Sequence, residues 1–164
     1  MLARHLRNYL VAEEIIDAKK SDRVPGTRGP SYAPGPEYTA AVDIPYPHLF
    51  SLAMNVVEIS QGRIVEMDPQ GSFKATCPQC GKVFTPGEDM YDAISSWHEG
   101  ENGISVSCPK CLHAVRLVDW PIKPVWGFGN LVLKFWNWPM LRPEFIDQLA
   151  SIAGFEPIVV TGKL

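Results

Sequence analysis

All four cysteines of this chain lie in two Cys-Pro-x-Cys pairs, Cys77-Pro78-Gln79-Cys80 and Cys108-Pro109-Lys110-Cys111. Each pair bends the backbone so that two sulfurs converge on one point. Two such bends supply the four ligands that a tetrahedral metal ion takes. Any fold open to this chain must therefore bring together two turns separated by 27 residues.

The rest of the composition bounds what can surround that site. At 164 residues the chain is long enough for one domain with an apolar core, and its 46% apolar and 20% charged content is that of a globular protein. Fifteen prolines and thirteen glycines imply much turn and loop. A net charge of −3 gives no electrostatic footprint for a polyanion. Residues 1–20 alternate apolar side chains with Arg4, His5, Arg7, Glu13 and Glu14 and contain no signal-peptide core. No apolar stretch reaches the ~18–20 residues of a membrane span, so no membrane partner is expected. The expected location is the cytoplasm, where paired C-x-x-C motifs serve as metal ligands more often than as disulfides.

Periodicity outlines the elements. Residues 2–18 suit a short helix, with Leu2, Leu6, Leu10 and Ile16 near one face. Residues 21–38 form a Pro/Gly-rich loop in which no regular element is expected, although Tyr32 and Tyr38 suit packing on a core. Leu52 to Met67 reads as a β-hairpin turning at Ser60-Gln61-Gly62. Strand-like runs flank both cysteine pairs, and Glu88 to His98 reads as a helix ended near Gly100. Leu131 to Trp136 is a strand with Leu131, Leu133 and Phe135 on one face. Pro143 opens a helix with an apolar stripe from Phe145 to Ala153, Gly154 ends it, and Pro157 to Val160 returns as a strand.

Four thiolates form a closed set that suits Zn²⁺ and leaves no position for water or substrate. Iron also accepts four sulfurs, and C-x-x-C pairs can carry thiol–disulfide chemistry. His98 and His113 are spare beside a complete cysteine shell. With Gly81 after Cys80, the pattern over about 45 residues resembles a zinc ribbon, in which two knuckles on short hairpins share one zinc. It departs from that pattern in the long insert between the pairs and in Leu112, where glycine is expected.

The metal segment, residues 73–120, carries four bases against six acids, which disfavours a nucleic-acid-binding ribbon. The aromatic run from Trp126 to Pro139 buries one face of a strand. Lys134, Trp136 and Trp138 are left as candidate partner-binding residues. No catalytic motif is present, and no acid–base pair can be nominated. The order of Pro/Gly loop, hairpin, four-cysteine segment, Phe135-Trp-Asn-Trp-Pro139 and Thr161-Gly-Lys-Leu164 is similar to small bacterial cytosolic proteins of little-known role. That resemblance carries no activity with it.

The sequence thus predicts an α+β fold in one domain, residues 1–164, with a small mixed sheet, helices and a four-cysteine zinc ribbon inserted at 73–120. Cys77, Cys80, Cys108 and Cys111 are the expected ligands of a structural Zn²⁺. The function expected is a non-catalytic protein-interaction or inhibitory module of the immunity or accessory type. A nucleic-acid-associated ribbon, or an enzyme whose zinc is purely structural, are the alternatives.

Overall fold

Helix α1 (Leu2–Ala12) stops short of the expected residue 18, and its end explains why. Glu14 takes a left-handed conformation (φ 54°). The Glu14 amide donates to the Val11 carbonyl and the Ile15 amide to that of Leu10, at 3.1 and 2.9 Å. This paired stop buries Ile15 against Leu10, and the β-branched Ile15-Ile16 pair then leads into strand β1 (Ile16–Ser21). The structure, a computed structural model, describes residues 1–46, 48 and 54–162. Onward run β2 (Ser31–Pro34), β3 (Val56–Glu66), β4 (Lys74–Thr76), β5 (Val83–Phe84), α2 (Glu88–Glu99), β6 (Ser105–Ser107), β7 (Ala114–Arg116), β8 (Ile122–Lys123), β9 (Gly127–Trp136) and α3 (Pro143–Ala153). The fold is α+β, as the sequence predicts.

Two compact units divide the chain, Met1–Gly62 with Leu131–Pro157, and Arg63–Asn130 with Ile158–Leu164. The first contains α1, β1, β2, residues 56–62 of β3, residues 131–136 of β9 and α3; the sheet order is β1-β2-β3-β9, in which β1–β2 and β2–β3 are antiparallel. Its core joins Leu10, Ile15, Ile16, Val57 and Phe145, with Leu131, Leu133 and Phe135 of β9 packed against them. Burial of such side chains contributes ~1.5–3 kcal/mol each. The second holds the sheet β5-β4-β8, the hairpin β6–β7 and helix α2. It includes all of residues 73–120.

Three further local expectations differ from the structure. A strand, β2, runs through the Pro/Gly-rich segment with all four residues buried. Residues 56–66 form one strand rather than a hairpin; the expected start at Leu52 lies outside the described residues. Val56 to Ser60 are consecutively buried, and the strand's neighbours are β2 and β9, so distant pairing overrides the Ser60-Gln61-Gly62 turn signal. Residues 157–160 form no strand; Ile158 and Val159 are about half exposed. The expected strand-helix-strand unit is therefore a strand and a helix only.

Candidate metal centre

Each cysteine pair sits at the tip of an antiparallel hairpin. Cys77 to Cys80 join β4 to β5, and Cys108 to Cys111 join β6 to β7. The two tips repeat one hydrogen-bond pattern. The Cys77 amide donates to the Lys82 carbonyl and the Gly81 amide to the Cys77 carbonyl, both at 2.9 Å. Correspondingly, Cys108 donates to the His113 carbonyl at 2.9 Å and Leu112 to the Cys108 carbonyl at 3.0 Å. Both turns require a left-handed residue after the second cysteine. Gly81 (φ 68°) meets this without strain, whereas Leu112 (φ 59°) adopts it despite its side chain.

These turns bring all four sulfurs within 4.8 Å of one another. Cys77 to Cys111 is 3.8 Å and Cys80 to Cys108 is 3.7 Å. A tetrahedron with Zn–S bonds of ~2.3 Å has edges of about 3.8 Å. The donor set thus fits a single tetrahedral ion in size, number and chemistry. Two of the thiols are shifted in opposite directions. The Cys108 thiol is brought down to about 6, chiefly by the Cys111 amide, with burial opposing and the Lys110 amide assisting. Cys111 is pushed up to about 12: the His113 amide works against this, but burial and the crowding sulfurs of Cys80, Cys108 and Cys77 prevail.

Apolar packing supports the cluster. Cys77 and Cys108 belong to a core with Ala75, Met90, Val106, Val115, Leu117 and Trp120. The long insert between the pairs is occupied by α2, whose Met90 and Ala93 face that core. One residue that sequence reasoning missed fixes this helix. Arg63 of β3 donates to the carbonyls of Trp97 and Glu101 at 2.6 and 2.5 Å and to Asn102 Oδ1 at 2.5 Å, with its guanidinium over the Trp97 ring. It places a cation at the helix's negative end. No local motif announces it. His98 and His113 are exposed and lie outside the four-sulfur group.

The aromatic candidates are not a row along one face. Trp136 Nε1 donates to Glu58 Oε2 at 2.9 Å, and Lys134 Nζ lies 4.4 Å from the centre of the Trp136 ring. Asn137 then takes a left-handed turn (φ 56°), which breaks the strand's alternation. Trp138 accordingly packs edge-on against Phe135 and Tyr38, at 5.2 and 6.0 Å between ring centres. Glu58, 4% exposed, was also missed. It accepts hydrogen bonds from Ser60 Oγ and from the Arg28 and Gly29 amides as well as from Trp136. Gly29 lies so close to β3 that a Cβ there would overlap the Ile59 carbonyl. Burial alone would raise the Glu58 carboxyl, but these bonds outweigh it and hold the group below its ordinary value.

Hollows border β1, at Asp17, Lys19, Lys20 and Arg23, and the end of α3, at Asp147, Ser151 and Glu156; neither includes a cysteine. No helix is long and apolar enough to cross a membrane among the described residues. Comparison of the chain with family models, with curated proteins and with solved structures finds no match.

Proposed function

We propose that Cys77, Cys80, Cys108 and Cys111 bind one structural Zn²⁺ in a zinc-ribbon module. The chain then acts in the cytoplasm as a non-catalytic protein-interaction or inhibitory protein of the accessory type. The observation that carries the metal reading is the four-sulfur cluster within 4.8 Å, built by two matching hairpin tips. Four thiolates complete a zinc shell, so the ion has no open position from which to activate water. The zinc would fix the two hairpins together, and its binding free energy would be folding free energy. An interaction role is favoured over nucleic-acid binding by the acidic balance of the whole chain.

Metal analysis of reduced protein purified without added zinc tests this. One zinc per chain is expected, with loss of the metal and of thermal stability in Cys77→Ser. Iron in its place would give a coloured protein and change the identity of the ion. A folded, reduced chain holding no metal would refute the site. Steeply salt-dependent binding to DNA or RNA would replace the interaction reading with the nucleic-acid one.

A further inference from the structure

We propose that Cys111 is an oxidation site for hydroperoxides, and that its oxidation joins it to Cys77 in a disulfide between the two hairpin tips and discharges the metal. This rests on reading the cysteines as a zinc site.

Burial is uneven across the cluster. Cys77 and Cys108 are fully buried, Cys80 is half-buried and Cys111 is exposed. Cys111 also lies within a run, residues 109–114, that is exposed throughout. Cysteine oxidation follows thiolate character and access. A coordinated sulfur is already a thiolate, so within a loaded site access decides which ligand reacts. Hydrogen bonding points the same way. The Lys110 amide lies 3.4 Å from Cys108 Sγ, and the Cys111 amide is directed at that sulfur too. Cys111 has the His113 amide as its backbone donor, so less of its charge is withdrawn.

A resolving sulfur makes the event reversible. Cys77 Sγ lies 3.8 Å from that of Cys111 and is buried. It is sheltered from the oxidant yet touches the sulfur that is oxidised. A sulfenic acid with such a neighbour condenses to a disulfide before it passes to the irreversible acids. Cys77 belongs to the β4–β5 tip and Cys111 to the β6–β7 tip, so the new bond ties together the two hairpins that the ion had joined. A peroxide suits this sulfur better than a disulfide oxidant, which would have to form a bulky mixed disulfide beside three other sulfurs.

The steps balance with hydrogen peroxide. The Cys111 thiolate attacks one oxygen; an S–O bond forms, the O–O bond breaks, and hydroxide leaves to be protonated to water. The Cys77 thiolate then attacks the Cys111 sulfur. An S–S bond forms, the S–O bond breaks, and a second hydroxide leaves as water. The two thiolates lose two electrons and the peroxide gains them. Cys80 and Cys108 alone are left to hold the ion, half the shell it takes, and it dissociates.

Treating reduced, zinc-loaded protein with hydrogen peroxide tests the site, with free zinc followed by a chromogenic chelator and the cysteines mapped by peptide mass spectrometry. One zinc should be released for each Cys77–Cys111 disulfide formed, and a sulfenic-acid trap added at early times should mark Cys111 first. A dithiol and added zinc should restore the starting state. Amide exchange in β4 and β7 should be slower in the oxidised chain than in the reduced chain stripped of metal. Cys111→His, which keeps a zinc-ligand type without the thiolate, should hold its zinc at a peroxide dose that empties the parent, whereas Cys80→His should release it as the parent does. Mapping on the unaltered chain decides the matter whether or not either variant folds. First oxidation at Cys80, a disulfide within one tip, or zinc retained while Cys111 is oxidised would overturn the proposal. Zinc measured before treatment separates the two readings. A zinc-loaded chain whose Cys111 resists peroxide refutes only the oxidation site, whereas a reduced, metal-free chain that still joins Cys111 to Cys77 refutes only the metal.

Discussion

The two units reach order by different means. In the first, residues 56–62 of β3 and 131–136 of β9 join β1 and β2 in one sheet, and Leu10, Ile15, Ile16, Val57 and Phe145 are almost wholly withdrawn from water. Apolar burial there works against the entropy of ordering the chain. In the second, strands β4 to β8 are two or three residues each, and the core they surround includes two of the four sulfurs. Such short hairpins are marginal alone. The second unit has an apolar core of its own, Met90, Leu117, Trp120 and Trp126 included, but its strands are short, so a metal held by the sulfurs would add more to its order than to the first unit's.

The largest expected effect is that of removing the proposed zinc. Chelation should cost on the order of 10 kcal/mol of the second unit's stability, the scale of zinc binding in small modules. Amide exchange should show α2, β4 and β7 losing protection well before α1 and β2. Phe145→Ala is the reciprocal perturbation. Phe145 is 2% exposed and stacks edge-on with Phe135 at 6.2 Å, so its truncation should cost ~3–5 kcal/mol. That loss should fall first on α1 and β2, with zinc still bound. Uniform loss of protection in both experiments would erase the contrast between the units and show one cooperative structure.

A smaller effect sharpens the first unit's account. Glu58 is its buried charge, and it ties the Pro/Gly-rich segment to β3 through Arg28 and Gly29. In Glu58→Gln, an amide N–H₂ would face either the Trp136 N–H or the donors on the other oxygen. About 2 kcal/mol should be lost near neutral pH. The folded carboxyl lies below its unfolded value, so its contribution is present above the unfolded value of about 4.3 and is lost as pH falls through the folded one. Denaturant midpoints of the two proteins should therefore converge as the pH drops below about 4. A gap that persists under acid would mean that shape rather than charge holds the segment.

What the sequence reveals follows the range of the forces involved. The four-cysteine cluster was legible because each C-x-x-C pair is a local turn. So were the start of α3 at Pro143 and the left-handed glycines that end α2 and α3. The unbroken β3 was not legible, because its neighbours β2 and β9 lie far along the chain and outweigh a local turn. Trp138 was misplaced because strand alternation was carried past Asn137, whose left-handed backbone resets it. Glu58 and Arg63 were invisible for a related reason. A lone acid or base in a strand looks solvated until partners 29 to 78 residues away come within hydrogen-bonding distance.

The smallest effect lies inside the second unit, between its two matched tips. Gly81 and Leu112 occupy equivalent left-handed positions, and a Cβ at Gly81 would meet no atom within 4 Å. Steric neighbours therefore drop out of the comparison, leaving backbone strain and the freedom of the unfolded chain. Placing leucine in the left-handed region costs ~1–2 kcal/mol, of which ~0.5–1 kcal/mol is recovered because the unfolded chain has less freedom to lose than with glycine. Gly81→Leu should thus lower stability by roughly 0.5–1 kcal/mol. Leu112→Gly should raise it by a similar amount or leave it unchanged, read as opposite shifts of the zinc-loaded melting point. If both substitutions destabilise, Leu112 contributes packing that its exposure does not show, and the equivalence of the two tips fails. If the signs oppose, leucine is the worse residue for the fold at its own position.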